Sequence, residues 1–326
     1  MARELSSKFM NDLHENGPLY PFLEFVRKDT SLDMQIRPDE VHIYYRGIAL
    51  LIVRLRAGKY DMLFNQNYLT KSYHVEMPSV DNTLMNDPER WVGIFAELKT
   101  CIDVYLSCNE KTVYSCEEQV VVKDFLQTTM RENTYSAVAP KTDYHITDID
   151  CLSTFSTGAV VRFDMLGLYL PTEIGATVDP NPALAIFSMR FGTMNLVGPY
   201  GIIPFLEKLF KLVEGTNALA ELAEEVKSVF YQRKKLMLPG SQVENEKGIH
   251  DIASKKPHLV INLANQEPQG SHLTELMNSK HFRSALGLLH DAVDIKFVHS
   301  RMMGYGIYRK CLYSIDEVSE VLQCDK

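Results

Sequence analysis

The chain has 326 residues and a mass of 37.2 kDa, with 45% hydrophobic and 23% charged side chains, a balance that fits one large globular domain or two modest ones and excludes a fibrous or disordered chain. A formal charge of -8, with pI near 5.7, excludes a surface that is basic throughout, as non-specific nucleic-acid binders need, and leaves room for a local basic groove. No apolar run reaches the roughly 18 to 20 residues that span a bilayer, and the opening stretch MARELSSKFMNDLHENG has no apolar h-region, so no membrane association and a cytoplasmic location are expected.

In chain order, Leu5 to Leu13 forms an amphipathic stretch, followed by β-type segments from Leu32 to about Tyr68. LDMQIR, VHIYYRG, ALLIVRLRAG and YDMLFN are rich in β-branched and aromatic residues and end on turn residues such as Pro38-Asp39 and Ala57-Gly58, which predicts an antiparallel meander. Asp87-Pro88 starts a helix in which Trp91, Ile94, Phe95, Leu98, Ile102 and Tyr105 recur at helical spacing. A second helix opens at SCEEQVVVKDFLQTTMREN, where Ser115 and Glu118 have capping-box spacing. YHITDIDCL, AVVRFDMLGLYL and PALAIFSMRFG then read as consecutive strands. Helical stripes fill Gly201 to about Leu236 and break at Gly215, and the polar stretch Pro239 to Gly248 is the most linker-like piece. PHLVINLA, a helix from about Ser271 to His290, and DIKFVHSRM make a crossover unit with parallel strands, and a last helix follows Ser314.

Familiar cofactor signatures are missing from this order. The six cysteines (Cys101, Cys108, Cys116, Cys151, Cys311, Cys324) form no CxxC pair, and the ten histidines form no HExxH, so zinc chemistry has no support. Walker A, GxSxG and protein-kinase patterns are also lacking.

The informative residues lie in the middle strands. Period-two alternation puts Val160, Arg162, Asp164, Leu166 and Leu168 on one face of the first, and Leu184, Ile186, Ser188 and Arg190 on one face of the next. If the strands pair and these faces coincide, Asp164, Ser188 and Arg190 converge. An isolated ion there costs several kcal/mol, so each charge requires a partner.

This arrangement resembles the PD-(D/E)XK nuclease superfamily, in which an Asp on one core strand is followed by an acid-x-Lys triplet on its neighbour and preceded by a helix that often adds an acid. Asp164 in RFDMLGL takes the first position, Ser188-Met189-Arg190 the second, and Glu117 or Glu118 in SCEEQ the helix position. The resemblance covers residues 111 to 326 and implies a restriction-endonuclease-like fold with catalytic positions at Asp164, Ser188, Arg190 and Glu117. It also implies Mg²⁺ as cofactor and nucleic acid as partner; in an active enzyme Asp164 and Glu117, with Asp150 as a relocated acid, would be the metal ligands. This chain departs from the pattern where a hard dication needs a second carboxylate. Ser188 offers only a neutral hydroxyl, and Arg190 keeps the positive charge of Lys without its ability to give up a proton. Asp148, Asp150 and Glu118 are the acids that could restore the site, with Asp150 foremost because it lies just before the Asp164 strand.

The expected architecture is mixed α/β: a β-meander and helix module over 1–110, then a nuclease-like domain over 111–326 whose central mixed sheet is flanked by helices. The expected function is a nuclease-like domain with a degenerate metal site, acting as a nucleic-acid-binding or interaction module. The alternatives are an active Mg²⁺-dependent DNase or RNase, and a structural or oligomeric protein in which Asp164 simply pairs with Arg162 or Arg190. A protein partner or homo-oligomer fits the first and the last. Basic residues at Arg233 to Lys235, Lys255-Lys256, Arg301 and Arg309-Lys310 are candidates to border a local groove, whereas Tyr44 and Tyr45 point to opposite faces and are expected to pack in the sheet.

Overall fold

The computed structural model describes residues 3–64, 88–107, 123–131, 133, 142–170, 182–192, 196–199, 201–214, 216–239, 249–264, 271–300, 307 and 311–324. They form a mixed α/β protein with two compact units, Met1–Gln127 with Ser228–Ser241, and Thr128–Lys227 with Gln242–Lys326. The boundary expected at residue 110 lies outside the described residues.

In the first unit, β1 (Leu32–Arg37), β2 (Glu40–Tyr45), β3 (Ile48–Arg56) and β4 (Lys59–Leu63) pair antiparallel in chain order. The pairs Arg37↔Glu40, Tyr45↔Ile48 and Arg56↔Lys59 leave two-residue turns between strands. Arg46-Gly47 and Ala57-Gly58 have positive φ at both positions, which matches the twist of the flanking strands. Gly47 is required as glycine: its φ is +74, and a Cβ there would lie 2.1 Å from the Lys123 carbonyl carbon. Alternation sends Met34, Ile36, Val41, Ile43, Leu51 and Val53 into a core shared with Phe9, Phe22 and Trp91 from the helices Ser7–Leu13, Tyr20–Lys28 and Pro88–Ser107. The Trp91 ring centroid is 5.0 Å from that of Phe22. On the opposite face Asp33, Gln35 and Arg37 are buried as well, and Gln127 Nε2 donates to Asp33 Oδ2 at 2.7 Å.

The second unit carries a five-stranded sheet in the order β5 (Tyr144–Thr154), β6 (Val160–Tyr169), β7 (Ala183–Phe191), β8 (His258–Ala264) and β9 (Asp294–Ser300). β5 to β7 pair antiparallel, while β8 and β9 add parallel, as the crossover unit predicts. The 202–213 helix buries Ile202, Leu206, Leu209 and Leu212 and contacts the 280–289 helix, where His281 Nε2 lies 2.9 Å from Glu207 Oε1.

Three local features differ from the sequence reading. Tyr20–Lys28 is a helix that the apolar pattern did not reveal; Pro21 sits in its first turn, where no intrahelical N–H is needed, and Phe22, Leu23 and Val26 supply the buried stripe. The helix expected from Ser271 to His290 is two, Ser271–Asn278 and Lys280–Leu289, because Ser279 caps the second by accepting the Phe282 N–H at 3.4 Å. A short 3-10 helix, Ile249–Ser254, follows the linker-like stretch and buries Ile249 and Ile252.

Candidate functional site

Strand register places the middle-strand residues. The pairs Ile149↔Met165 and Cys151↔Phe163 bracket Asp150 and Asp164, which therefore stand opposite each other. One step beyond the last β6–β7 pair, Met165↔Phe187, come Asp164 and Ser188. Asp150 reaches this face because of a bulge. By parity alone Asp148 and Asp150 share a face with Tyr144 and Ile146, but the register slips between Ile146 and Asp148, and the extra residue, Thr147, turns both acids to the Asp164 side. Asp150 also adopts a left-handed backbone, φ +49, which is uncommon for a non-glycine residue inside a strand.

The regular β6–β7 ladder stops at Met165, and the charged side chains take over its work. Met189 N–H donates to Asp164 Oδ2 at 2.8 Å, and the Met189 carbonyl accepts from Arg190 Nη1 at 3.2 Å. The same guanidinium lies 3.6 Å from Asp164 Oδ2 and stacks 5.4 Å from the centre of the Phe205 ring. An acid and an arginine thus satisfy both peptide groups of a residue beyond the last regular pair, where they would otherwise be buried without partners.

Burial dominates the electrostatics of this pair. The Asp164 side chain is 28% exposed and that of Arg190 7%. Desolvation pushes the Asp164 carboxyl above the usual carboxylate range, opposed by Arg190 and the Met189 N–H; Asp150 raises it further and Arg162 lowers it. Desolvation likewise pulls Arg190 below its ordinary value, against the attraction of Asp164, yet a guanidinium keeps its proton. Beside them Asp150 accepts from Arg162 Nε at 2.6 Å and from a second guanidinium nitrogen. Ser188 Oγ is fully buried and has no hydrogen-bond partner among the described residues.

The structure therefore brings Asp150, Asp164, Ser188 and Arg190 together, while Glu117 and Glu118 lie outside the described residues. For Mg²⁺, Asp150 and Asp164 each present a carboxylate already held by an arginine, and Ser188 adds a neutral oxygen. Among the described residues no group of three or more His, Cys, Asp or Glu side chains is placed to hold a metal ion. Asp148 shares the same face but is completely buried.

Of the basic residues expected to border a groove, Arg233 is not at a surface: it is buried in the first unit, where Nη1 donates to the Met34 carbonyl at 2.6 Å. Lys256 donates to the His290 carbonyl at 2.7 Å, and Arg301, Arg309 and Lys310 lie outside the described residues. Tyr44 is buried in the sheet, and the Tyr45 hydroxyl donates to Asp103 at 3.0 Å. Sequence reasoning missed Phe205, which no spacing rule ties to Arg190, and the capping of Met189, which depends on where a ladder ends. No helix among the described residues is long and apolar enough to cross a membrane. Comparison of the chain with family models, curated proteins and solved structures returned no match.

Proposed function

We propose that the second unit is a nuclease-like module with a degenerate metal site, one that binds nucleic acid or another partner without hydrolysing it. The observation that carries this reading is the engagement of Asp164. Its Oδ2 accepts the Met189 N–H and faces Arg190, while the neighbouring strand offers Ser188 where a second carboxylate would stand. A water nucleophile needs a metal or a free base to activate it, and a carboxylate oxygen that accepts a peptide N–H and faces a guanidinium is poorly placed to be either ligand or base. Arg162, whose side chain is 58% exposed, remains on the same face to meet a phosphate.

The test is fluorescence anisotropy with labelled single-stranded DNA, double-stranded DNA and RNA, run beside a cleavage assay in Mg²⁺ and Mn²⁺. Salt-dependent binding that Arg162→Ala weakens, with no cleavage, is the expected result. Divalent-dependent cleavage lost in Asp164→Ala would establish the hydrolytic alternative. A structural protein is favoured by one specific observation, that each carboxylate has its own arginine. That reading predicts no nucleic-acid binding and an Asp164→Asn variant altered only in stability.

A further inference from the structure

β7 ends at Phe191, and the chain, punctuated by Gly192, Gly198 and Gly201, returns as the 202–213 helix. The carboxyl end of a parallel-paired strand thus leads into the N-terminus of a helix, where peptide N–H groups and the helix dipole favour an anion. Such an end is ordinarily served by a capping side chain or an acid. Here neither is present: Gly201 is the N-cap, no side chain caps the helix, and its first turn holds no Asp or Glu. A capping residue does not fit in place of Gly201, since a Cβ there would lie 2.7 Å from the Leu196 carbonyl oxygen. Gly201 N–H donates to the Gly198 carbonyl at 3.0 Å, Ile202 N–H donates to that of Leu196 at 3.2 Å, and Pro204 has no N–H to place. The Ile203 N–H is left with no acceptor among the described residues.

The strand beneath supplies the second observation. Arg190 and Ser188 share one face of β7, and the helix packs on that face, because the guanidinium lies 5.4 Å from the centre of the Phe205 ring. Side chains on a helix lean back toward its N-terminus, so the Phe205 ring and the guanidinium against it lie beside the first turn. Ser188 Oγ, on the same face, is fully buried and has no partner among the described residues. A buried hydroxyl left unpaired costs stability unless a bound group accepts from it. Asp164, 3.6 Å from Arg190, opposes an anion here. Ile203, Pro204 and Phe205 are half-buried, so the first turn opens on solvent.

We propose that the first turn of the 202–213 helix, with Arg190 and Ser188 beneath it, is a phosphate site. The Ile203 N–H and the Ser188 hydroxyl are its hydrogen-bond donors, and Arg190 and the helix terminus supply the positive potential. Free phosphate, a nucleotide and a nucleic-acid backbone share this chemistry, and the site stands whether or not the second unit binds nucleic acid.

The test is calorimetric titration of the full chain with inorganic phosphate in chloride buffer. The wild type is expected to bind it. Ile203→Glu puts an acid in the first turn, which favours the helix but repels phosphate, so binding should weaken roughly tenfold or more while the urea midpoint holds. Ser188→Ala removes a donor to a charged group and should weaken binding about tenfold. Asp164→Asn removes the opposing charge and should tighten it, a gain that a purely structural ion pair does not give. No binding by the wild type up to about 10 mM phosphate overturns the proposal, as do Ile203→Glu and Ser188→Ala variants that bind like the wild type. A single-stranded oligonucleotide is then added as competitor. Displacement of phosphate puts the nucleic-acid backbone at this site; phosphate binding that the oligonucleotide leaves untouched supports a site for small phosphate compounds and counts only against the nucleic-acid reading.

Discussion

Both sheets bury polar side chains, and they do so in contrasting places. In the first unit Asp33 lies within a strand paired with β2 along its whole length, and one of its polar partners is a neutral amide, Gln127, that also accepts the Gly47 N–H. In the second, Asp164 and Arg190 sit where the regular β6–β7 pairing stops, and the peptide groups they serve are those of Met189. A polar group within a ladder completes the packing of a face, whereas a charged pair at its end takes over hydrogen bonds that the neighbouring strand no longer supplies. The second arrangement leaves Asp164 partly open to solvent and Ser188 Oγ without a partner among the described residues, which marks the β5–β7 face as the candidate site.

The contrast can be broken at its strongest point first. Arg190→Leu strands the Asp164 carboxylate and orphans the Met189 carbonyl, and breaking a buried pair on one side costs about 3–5 kcal/mol. Urea denaturation of the purified variant checks this, and a loss under about 1 kcal/mol would mean the pair holds nothing. Asp164→Asn is milder, because an amide oxygen still accepts the Met189 N–H; it is expected to cost about 1–3 kcal/mol by the same measurement. In the first unit, Gly47→Ala is expected to cost more than about 1 kcal/mol, from a positive φ and a backbone clash, and Trp91 fluorescence follows it. Arg162→Ala is the smallest change: its pair with Asp150 is largely exposed on the arginine side, so stability should move by less than about 1 kcal/mol while nucleic-acid binding falls.

Titration sharpens the same comparison. Burial holds the Asp164 carboxyl above its unfolded value, near 3.9 for an ordinary Asp, so the folded chain binds that proton more tightly than the unfolded chain. The stability due to this group is fully present below the unfolded value and is lost as pH rises through the higher folded one. The difference in stability between wild type and Asp164→Asn should therefore shift against the wild type as pH rises from about 4, until the folded group is ionised. Urea midpoints measured across that range check it, and a difference that moves the opposite way would mean that Arg190 outweighs desolvation.

Much of this was legible because strands have a period of two. Alternation alone put Asp164 with Arg162, and Ser188 with Arg190, and pairing the strands brought Asp164 and Arg190 within 3.6 Å. The bulge at Thr147 was not legible, since one extra residue leaves the composition of a strand unchanged while moving Asp148 and Asp150 to the other face. Nor was the end of the β6–β7 ladder, which depends on where two strands diverge. Arg233 misled because a run of basic residues usually faces water, whereas here one guanidinium turns inward to a carbonyl. The break at Ser279 could have been found, for Asn278-Ser279 carries the chemistry of a helix cap.

The most direct test of the account is calorimetric titration of the full chain with Mg²⁺ and Mn²⁺, beside Asp164→Ala as control. If Asp164 is committed to Met189 and Arg190, the two proteins should give the same weak or absent heats. Tight binding by the wild type that disappears in Asp164→Ala would show a working metal centre and contradict the reading of a degenerate site.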